Sequence, residues 1–84
     1  MADSFLTHDV IEKFVIETLV ELGADREKIT VDSSFDDIGL DSLHVTYMGQ
    51  LVKREFGIDL SPTDLYEILV LREALAVICA KAAL

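Results

Sequence analysis

The chain is short of several things, and each shortage closes off a class of protein. It has one cysteine, Cys79, in 84 residues, so no internal disulfide can form. A lone thiol suits a reducing compartment, and no secretory pattern follows Met1, so the expected setting is the cytoplasm. Cys79 sits among Ala76, Val77 and Ala80, the surroundings of a buried and inert thiol. No apolar run approaches the roughly 20 residues of a membrane span. Residues 74–84 are apolar but short, they hold Lys81, and they lack a basic polar face. Bases are scarce: seven lysines and arginines against sixteen acids give a net charge of −9. That excludes a nucleic-acid partner, whose phosphates need cations, and favours basic protein partners. Tryptophan is absent, yet 51% of the residues are apolar, enough for a compact core. The length fits one domain over residues 1–84.

The acids are uneven. Residues 1–42 hold eleven acids and three bases, whereas residues 43–84 hold five and four. Most acids of such a surface are simply solvated. Asp32, Asp36, Asp37 and Asp41 are different, because they crowd ahead of Ser42.

The periodicity is helical. Thr7 can cap a first helix over residues 8–22, with Ile11, Phe14, Val15, Leu19 and Leu22 on one stripe and Gly23 as its stop. Residues 24–40 show no clean period. They predict a long loop pinned by Ile29, Val31, Phe35, Ile38 and Leu40, with a short turn near residues 25–28. A loop this long in a small domain is usually functional. Asp41 or Ser42 starts a second helix that Gly57 ends, with Leu43, Met48, Leu51, Val52 and Phe56 inward. His44, Tyr47, Gln50, Lys53 and Arg54 face outward. Pro62 opens a short third helix from Thr63 to about Leu69, with Leu65, Ile68 and Leu69 inward. A last helix covers residues 72–83 without an obvious cap, with Leu75, Ile78 and Ala82 inward. The expected fold is therefore all-α: a four-helix bundle with a long loop between helices 1 and 2 and a short third helix.

The run Asp36-Asp37-Ile38-Gly39-Leu40-Asp41-Ser42-Leu43 carries the chemistry. It sets a serine at the mouth of a helix, where free N–H groups and the positive end of the dipole welcome a phosphate. From the residues alone, Ser42 is either a plain N-cap or the bearer of a phosphodiester group. The missing Gly-x-Ser-x-Gly elbow argues against a hydrolase nucleophile, as does His44 lying only two residues away, off the serine's face, and a small hydrolase using Ser42 stays only as a further rival. A calcium loop starting at Asp32 fails at its sixth position, Asp37, and at its twelfth, Leu43, so no metal site is expected.

At these residues the chain resembles an acyl carrier protein. The likeness runs from the first helix through Phe35 to Leu43, then Glu55-Phe56-Gly57-Ile58 and Leu60-Ser61-Pro62-Thr63-Asp64-Leu65. It implies a carrier rather than an enzyme, with 4′-phosphopantetheine placed on Ser42 from coenzyme A by a separate transferase. The terminal thiol would hold an acyl chain as a thioester. Asp41 would meet the transferase, and Leu43 would lie at partner interfaces. Asp37, Leu40, Thr46, Tyr47 and Gln50 would help dock ketosynthases, acyltransferases or other acyl-processing enzymes. Phe35, Met48, Val52, Leu65 and Ile68 would line a place for the acyl chain. The carrier would act as a monomer.

The second helix departs from the fatty-acid type. Tyr47 stands where a glutamate is common, Gln50 where methionine is common, and Lys53 and Arg54 where acids are common. This favours a discrete polyketide or specialised-pathway carrier over fatty-acid housekeeping. The rivals are an aminoacyl or peptidyl carrier of a nonribosomal pathway and an unmodified acidic helical adaptor. Met1 favours a protein that acts alone over a domain cut from a larger synthase.

Overall fold

The computed structural model describes residues 6–66 and 68–83. Four α-helices follow in order: α1 (His8–Glu21), α2 (Ser42–Phe56), α3 (Pro62–Tyr66) and α4 (Leu71–Lys81), with a 3₁₀ turn at Arg26–Lys28. No strand occurs among the described residues, only an isolated antiparallel bridge between Ser34 and Val70. The all-α bundle with its long first connection is as expected. Among the described residues no helix is long and apolar enough to cross a membrane.

α1 forms for local reasons. The Thr7 side chain accepts a hydrogen bond from the Val10 N–H, and Gly23 follows the last turn. Ile11, Val15 and Leu19 recur at a spacing of four and are fully buried, each such side chain contributing roughly 1.5–3 kcal/mol. α1 packs on α4 and α2, and α3 packs on α2. The edge of one ring meets the face of the other where Phe14 and Phe56 lie 5.0 Å apart, joining α1 to the end of α2.

The long loop is tied down as its apolar anchors predict. Asp25 caps the 3₁₀ turn, Phe35 and Leu40 are buried, and Ile29, Val31 and Ile38 are half-buried. Residues 31–35 run beside residues 69–72: Arg72 N–H donates to Val31 O, Leu71 N–H to Ser33 O, and Phe35 N–H to Leu69 O. The Arg72 guanidinium adds a pair of hydrogen bonds to Asp32, at 2.8 and 3.0 Å.

Three expectations need correction. Leu43 is not part of the inward stripe of α2; it is 76% exposed, and Val45 takes the inward place with Met48, Gly49 and Val52. Two residues are about 200° of helix, so Leu43 and Val45 face opposite ways. Leu69 is not inward either. α3 ends at Tyr66, Glu67 lies outside the described residues, and the chain from Ile68 to Val70 is not helical. Side chains of an extended segment alternate, so Ile68 is buried and Leu69 is 68% exposed. Finally, α4 starts at Leu71, where Glu73 supplies what the sequence lacked: its Oε1 accepts from Leu69 N–H and Val70 N–H.

α3 owes its short existence to a reciprocal cap. Ser61 Oγ accepts from Asp64 N–H while Asp64 Oδ2 accepts from Ser61 N–H. Lys81 reaches the same carboxylate at 3.1 Å and ties α3 to α4. The Ser61 N–H first, and then Lys81, hold the Asp64 carboxyl below its ordinary pKa of 3.8. A depressed folded-state pKa stabilises the fold above the unfolded value, and that stabilisation is lost as pH falls through the folded one. Asp64→Asn should therefore melt below wild type at neutral pH. The gap should close as pH falls below about 4, in melting curves taken across that range.

Candidate functional site

The approach to Ser42 is a tight turn held at both ends. Asp37 N–H donates to Ser34 Oγ, Gly39 N–H to Asp36 O, and Leu40 N–H to Phe35 O at 2.8 Å. Phe35 and Leu40 plug the turn into the core, each 4% exposed. Gly39 makes the reversal possible: its φ is +83°, a conformation a side chain would strain. Asp36 and Asp37 are left in solvent.

Asp41 then caps α2. Its Oδ1 accepts from Leu43 N–H at 3.0 Å and from His44 N–H at 3.1 Å. His44 answers through Nδ1, which accepts from Asp41 N–H at 3.2 Å. In its neutral form the imidazole can accept at one nitrogen, so it stands where a glutamate usually closes such a box. His44 is therefore a half-buried positioning group rather than the outward-facing residue expected. The expectation of free N–H groups also changes, since the Asp41 carboxylate already occupies two of them.

This arrangement decides the status of Ser42. The plain-cap reading fails, because the cap is Asp41 and Ser42 is the first helical residue. Ser42 is exposed, and its hydroxyl makes no hydrogen bond to another described residue. Ser33, Ser34 and Ser61 differ, since each uses its hydroxyl in a turn or cap. Neither histidine is placed to activate Ser42: His44 Nδ1 is committed to Asp41, and His8 Nδ1 lies 3.2 Å from Cys79 Sγ. Cys79 itself is 4% exposed, and burial pushes its thiol pKa up. Among the described residues no group of three or more His, Cys, Asp or Glu could hold a metal ion.

From Ser42 a groove of about 360 Å³ runs between α2 and the segment that holds α3. One wall is Ser42, Thr46, Gly49, Gln50 and Lys53; the other is Asp59, Leu60, Pro62, Leu65 and Tyr66. Lys53 and Asp59, on opposite walls, form an exposed ion pair at 3.7 Å.

The expected site residues separate into three places. Thr46 and Gln50 border the groove with Ser42, and Leu65 faces them. Leu43 and Tyr47 are exposed beside it at 76% and 48%, and Asp37 is exposed on the turn. Leu40 is a correction, for its side chain lies in the core and offers a partner nothing. Phe35, Met48 and Val52 lie in the core apart from the groove, and Ile68, also apart from it, lines a second hollow with Asp64, Glu73, Ala76 and Val77. Sequence reasoning missed Gly49, Lys53, Asp59, Leu60, Pro62 and Tyr66 as groove residues. The spacing Ser42, Thr46, Gln50 marks one face of a helix and was the available signal; the opposite wall depends on how α3 docks.

Asp41→Ala should cost about 1 kcal/mol through loss of the cap. Urea unfolding checks this, and Asp41→Asn should recover most of it.

The chain is similar to known proteins over most of its length. The chain matches the family "Phosphopantetheine attachment site" over residues 13–78. An acyl carrier protein of Nitratidesulfovibrio vulgaris is 33% identical over 69 residues, 81% of this chain and 87% of that one. An acyl carrier protein of Solidesulfovibrio magneticus is 33% identical over 70 residues, covering 82% and 90%. The crystal structure of an acyl carrier protein from Thermotoga maritima superposes with a TM-score of 0.76 at 21% identity, over 89% of this chain and 88% of that one. That likeness establishes a shared fold.

Proposed function

The chain belongs to the acyl carrier protein family with its phosphopantetheine attachment site, and from that premise we propose that Ser42 bears the arm. The protein is a carrier and not an enzyme, and 4′-phosphopantetheine is its prosthetic group. Carriers of this type meet a phosphopantetheinyl transferase and acyl-processing enzymes. The observation that carries the assignment is the free, exposed Ser42 hydroxyl at the first position of α2, released because Asp41 and His44 do the capping. The residues fit the group in a second respect: a groove opens at the same side chain. When bound, the arm supplies a thiol that holds an acyl group as a thioester. The protein contributes position and presentation.

We read residues 1–84 as one carrier domain acting as a monomer, and we assign it to a discrete polyketide or other specialised pathway. The outward face of α2 supports this. Tyr47, Gln50, Lys53 and Arg54 are exposed there, so acid-to-base docking along the helix has little to work with. Recognition rests instead on the apolar Leu43 and Tyr47 beside the acids Asp36, Asp37 and Asp41. Small interfaces of this kind suit rapid exchange between a ketosynthase and an acyltransferase. Incubation of the apo protein with coenzyme A and a broad-specificity phosphopantetheinyl transferase should add one phosphopantetheine to the intact mass. A folded, unmodified protein that gains nothing would overturn the assignment. For the pathway, transfer assays should favour polyketide acyltransferases over a fatty-acid one, and the reverse preference would refute that assignment.

A further inference from the structure

We propose that His44 is a positioning residue for the loading of Ser42, and that it positions the serine only while its imidazole is neutral. This rests on attachment at Ser42 and goes beyond it, because it names a side chain that readies the serine and the condition under which it does so.

One nitrogen faces two ways. His44 Nδ1 lies 3.2 Å from the Asp41 backbone nitrogen, a donor, and 3.1 Å from Asp41 Oδ1, an acceptor. A neutral ring with its proton on Nε2 offers a lone pair at Nδ1, and Asp41 N–H donates to it. A protonated ring carries hydrogen on both nitrogens. Nδ1 then meets the Asp41 N–H donor to donor, and it turns to the carboxylate instead. Oδ1 already accepts from Leu43 N–H and His44 N–H, so a third donor on the same oxygen loosens the cap. One proton thus exchanges a closed capping box for an ion pair. A glutamine in this place closes the box without taking up a proton.

The backbone that the box holds is the backbone that carries Ser42. Leu40 N–H is fixed to Phe35 O, and Val45 N–H to Asp41 O. Between them Asp41 N–H is held by His44 alone. Loading joins Ser42 Oγ to the pantetheine-bearing phosphorus of coenzyme A and breaks that phosphorus's bond to the bridging oxygen. Adenosine bisphosphate leaves, and the hydroxyl proton goes to a base of the transferase. Such a displacement needs the attacking oxygen in line, and a small misplacement costs up to about 100-fold. With the box open, the peptide links around Asp41 gain freedom and the hydroxyl loses its fixed approach. The same proton changes the charge beside the serine. The Asp41 side chain is 65% exposed, and its Oδ2 makes no hydrogen bond to another described residue. An imidazolium against it cancels a charge that a basic partner would meet. Both effects slow loading.

The surrounding charges leave Asp41 as the close partner of the ring. Asp36 and Asp37 are exposed on the turn before it. Of the helices packed on α2, α1 brings Asp9, Glu12, Lys13, Glu17 and Glu21, and α3 brings Asp64. Among the described residues none of these carboxylates lies within 4.0 Å of a His44 nitrogen, whereas that of Asp41 does. The charges of α4 are engaged elsewhere: Arg72 by Asp32, Glu73 by the α4 cap and Lys81 by Asp64. The other imidazole, that of His8, sits against Cys79. Lys53 and Arg54 lie at the far end of α2.

The test measures initial loading rates of apo wild type, His44→Gln and His44→Ala by intact mass, with coenzyme A and one broad-specificity transferase. The range is about pH 5 to 8, where histidines change charge. The transferase titrates too, so each rate is read as a ratio to His44→Gln at the same pH. At the top of the range wild type and His44→Gln should load alike; at the bottom wild type should be at least about threefold slower. The fall should track the His44 ring shifts by NMR. The Asp41 amide shift should move with them in wild type and hold still in His44→Gln. His44→Ala should keep the low ratio at every pH, through kcat at saturating carrier. Circular dichroism at each pH checks the fold, and if the alanine variant does not fold, wild type against His44→Gln carries the test. A flat wild-type ratio, or an Asp41 amide blind to the His44 titration, would overturn the role of His44 and leave the attachment standing. Absence of the mass gain in every folded protein at every pH would overturn both.

Discussion

Ser42→Ala should gain no mass from coenzyme A and the transferase, and it should unfold within about 0.5 kcal/mol of wild type. Both halves follow from the same geometry. The substitution removes one exposed hydroxyl that bonds to no described residue, and it puts the best helix former at the first position of α2. The cap survives, because Asp41 and His44 make it. The other described serines are poor substitutes as acceptors, since Ser33, Ser34 and Ser61 hold their hydroxyls in hydrogen bonds that shape the loop and α3. An unchanged mass gain in the variant would move the attachment elsewhere. Loss of the gain together with loss of the fold would contradict the division of labour between Asp41 and Ser42. Circular dichroism and urea unfolding beside the mass measurement separate these results.

Phe35→Ala should be the most damaging conservative change within the long loop. The ring is 4% exposed, and the backbone on either side of it is committed: Phe35 N–H donates to Leu69 O, and Phe35 O accepts from Leu40 N–H. Truncating a buried phenylalanine costs about 3–5 kcal/mol. For a domain this size that lowers the melting temperature by more than about 12 °C. The loss should also loosen the turn that leads to Asp41, so amide exchange at Leu40 should accelerate along with global unfolding. Phe35→Leu should fall between the two. A variant within about 1 kcal/mol of wild type would mean that the other loop anchors hold the turn without the ring.

Much of this was legible in the sequence, and the exceptions have physical causes. α1 could be read residue by residue, because cap, stripe and stop all agree. The loop anchors were legible too, since isolated apolar residues in a polar segment have few reasons to be there. Leu43 misled because it is apolar and near the stripe, while the phase of α2 is set by Val45, Met48 and Val52. Asp41 and Ser42 are both good caps, so only geometry could choose between them. His44 as the partner in the cap was invisible, because the usual residue there is a glutamate or glutamine. Leu69 depended on where α3 stops, and a five-residue helix leaves little periodicity to read. The groove needed both walls, and its second wall is a matter of docking.

The hydrogen bonds between residues 31–35 and 69–72 have a consequence in time. A chain leaves the ribosome N-terminus first. When Ser42 emerges, the partners that fix the loop before it are still enclosed by the ribosome: Leu69 for Phe35, Leu71 for Ser33 and Arg72 for Val31 and Asp32. Strands of chain forty residues apart must meet before the turn acquires its shape. The turn before Ser42 therefore takes its final shape only once the chain through Arg72 is free to pack against it.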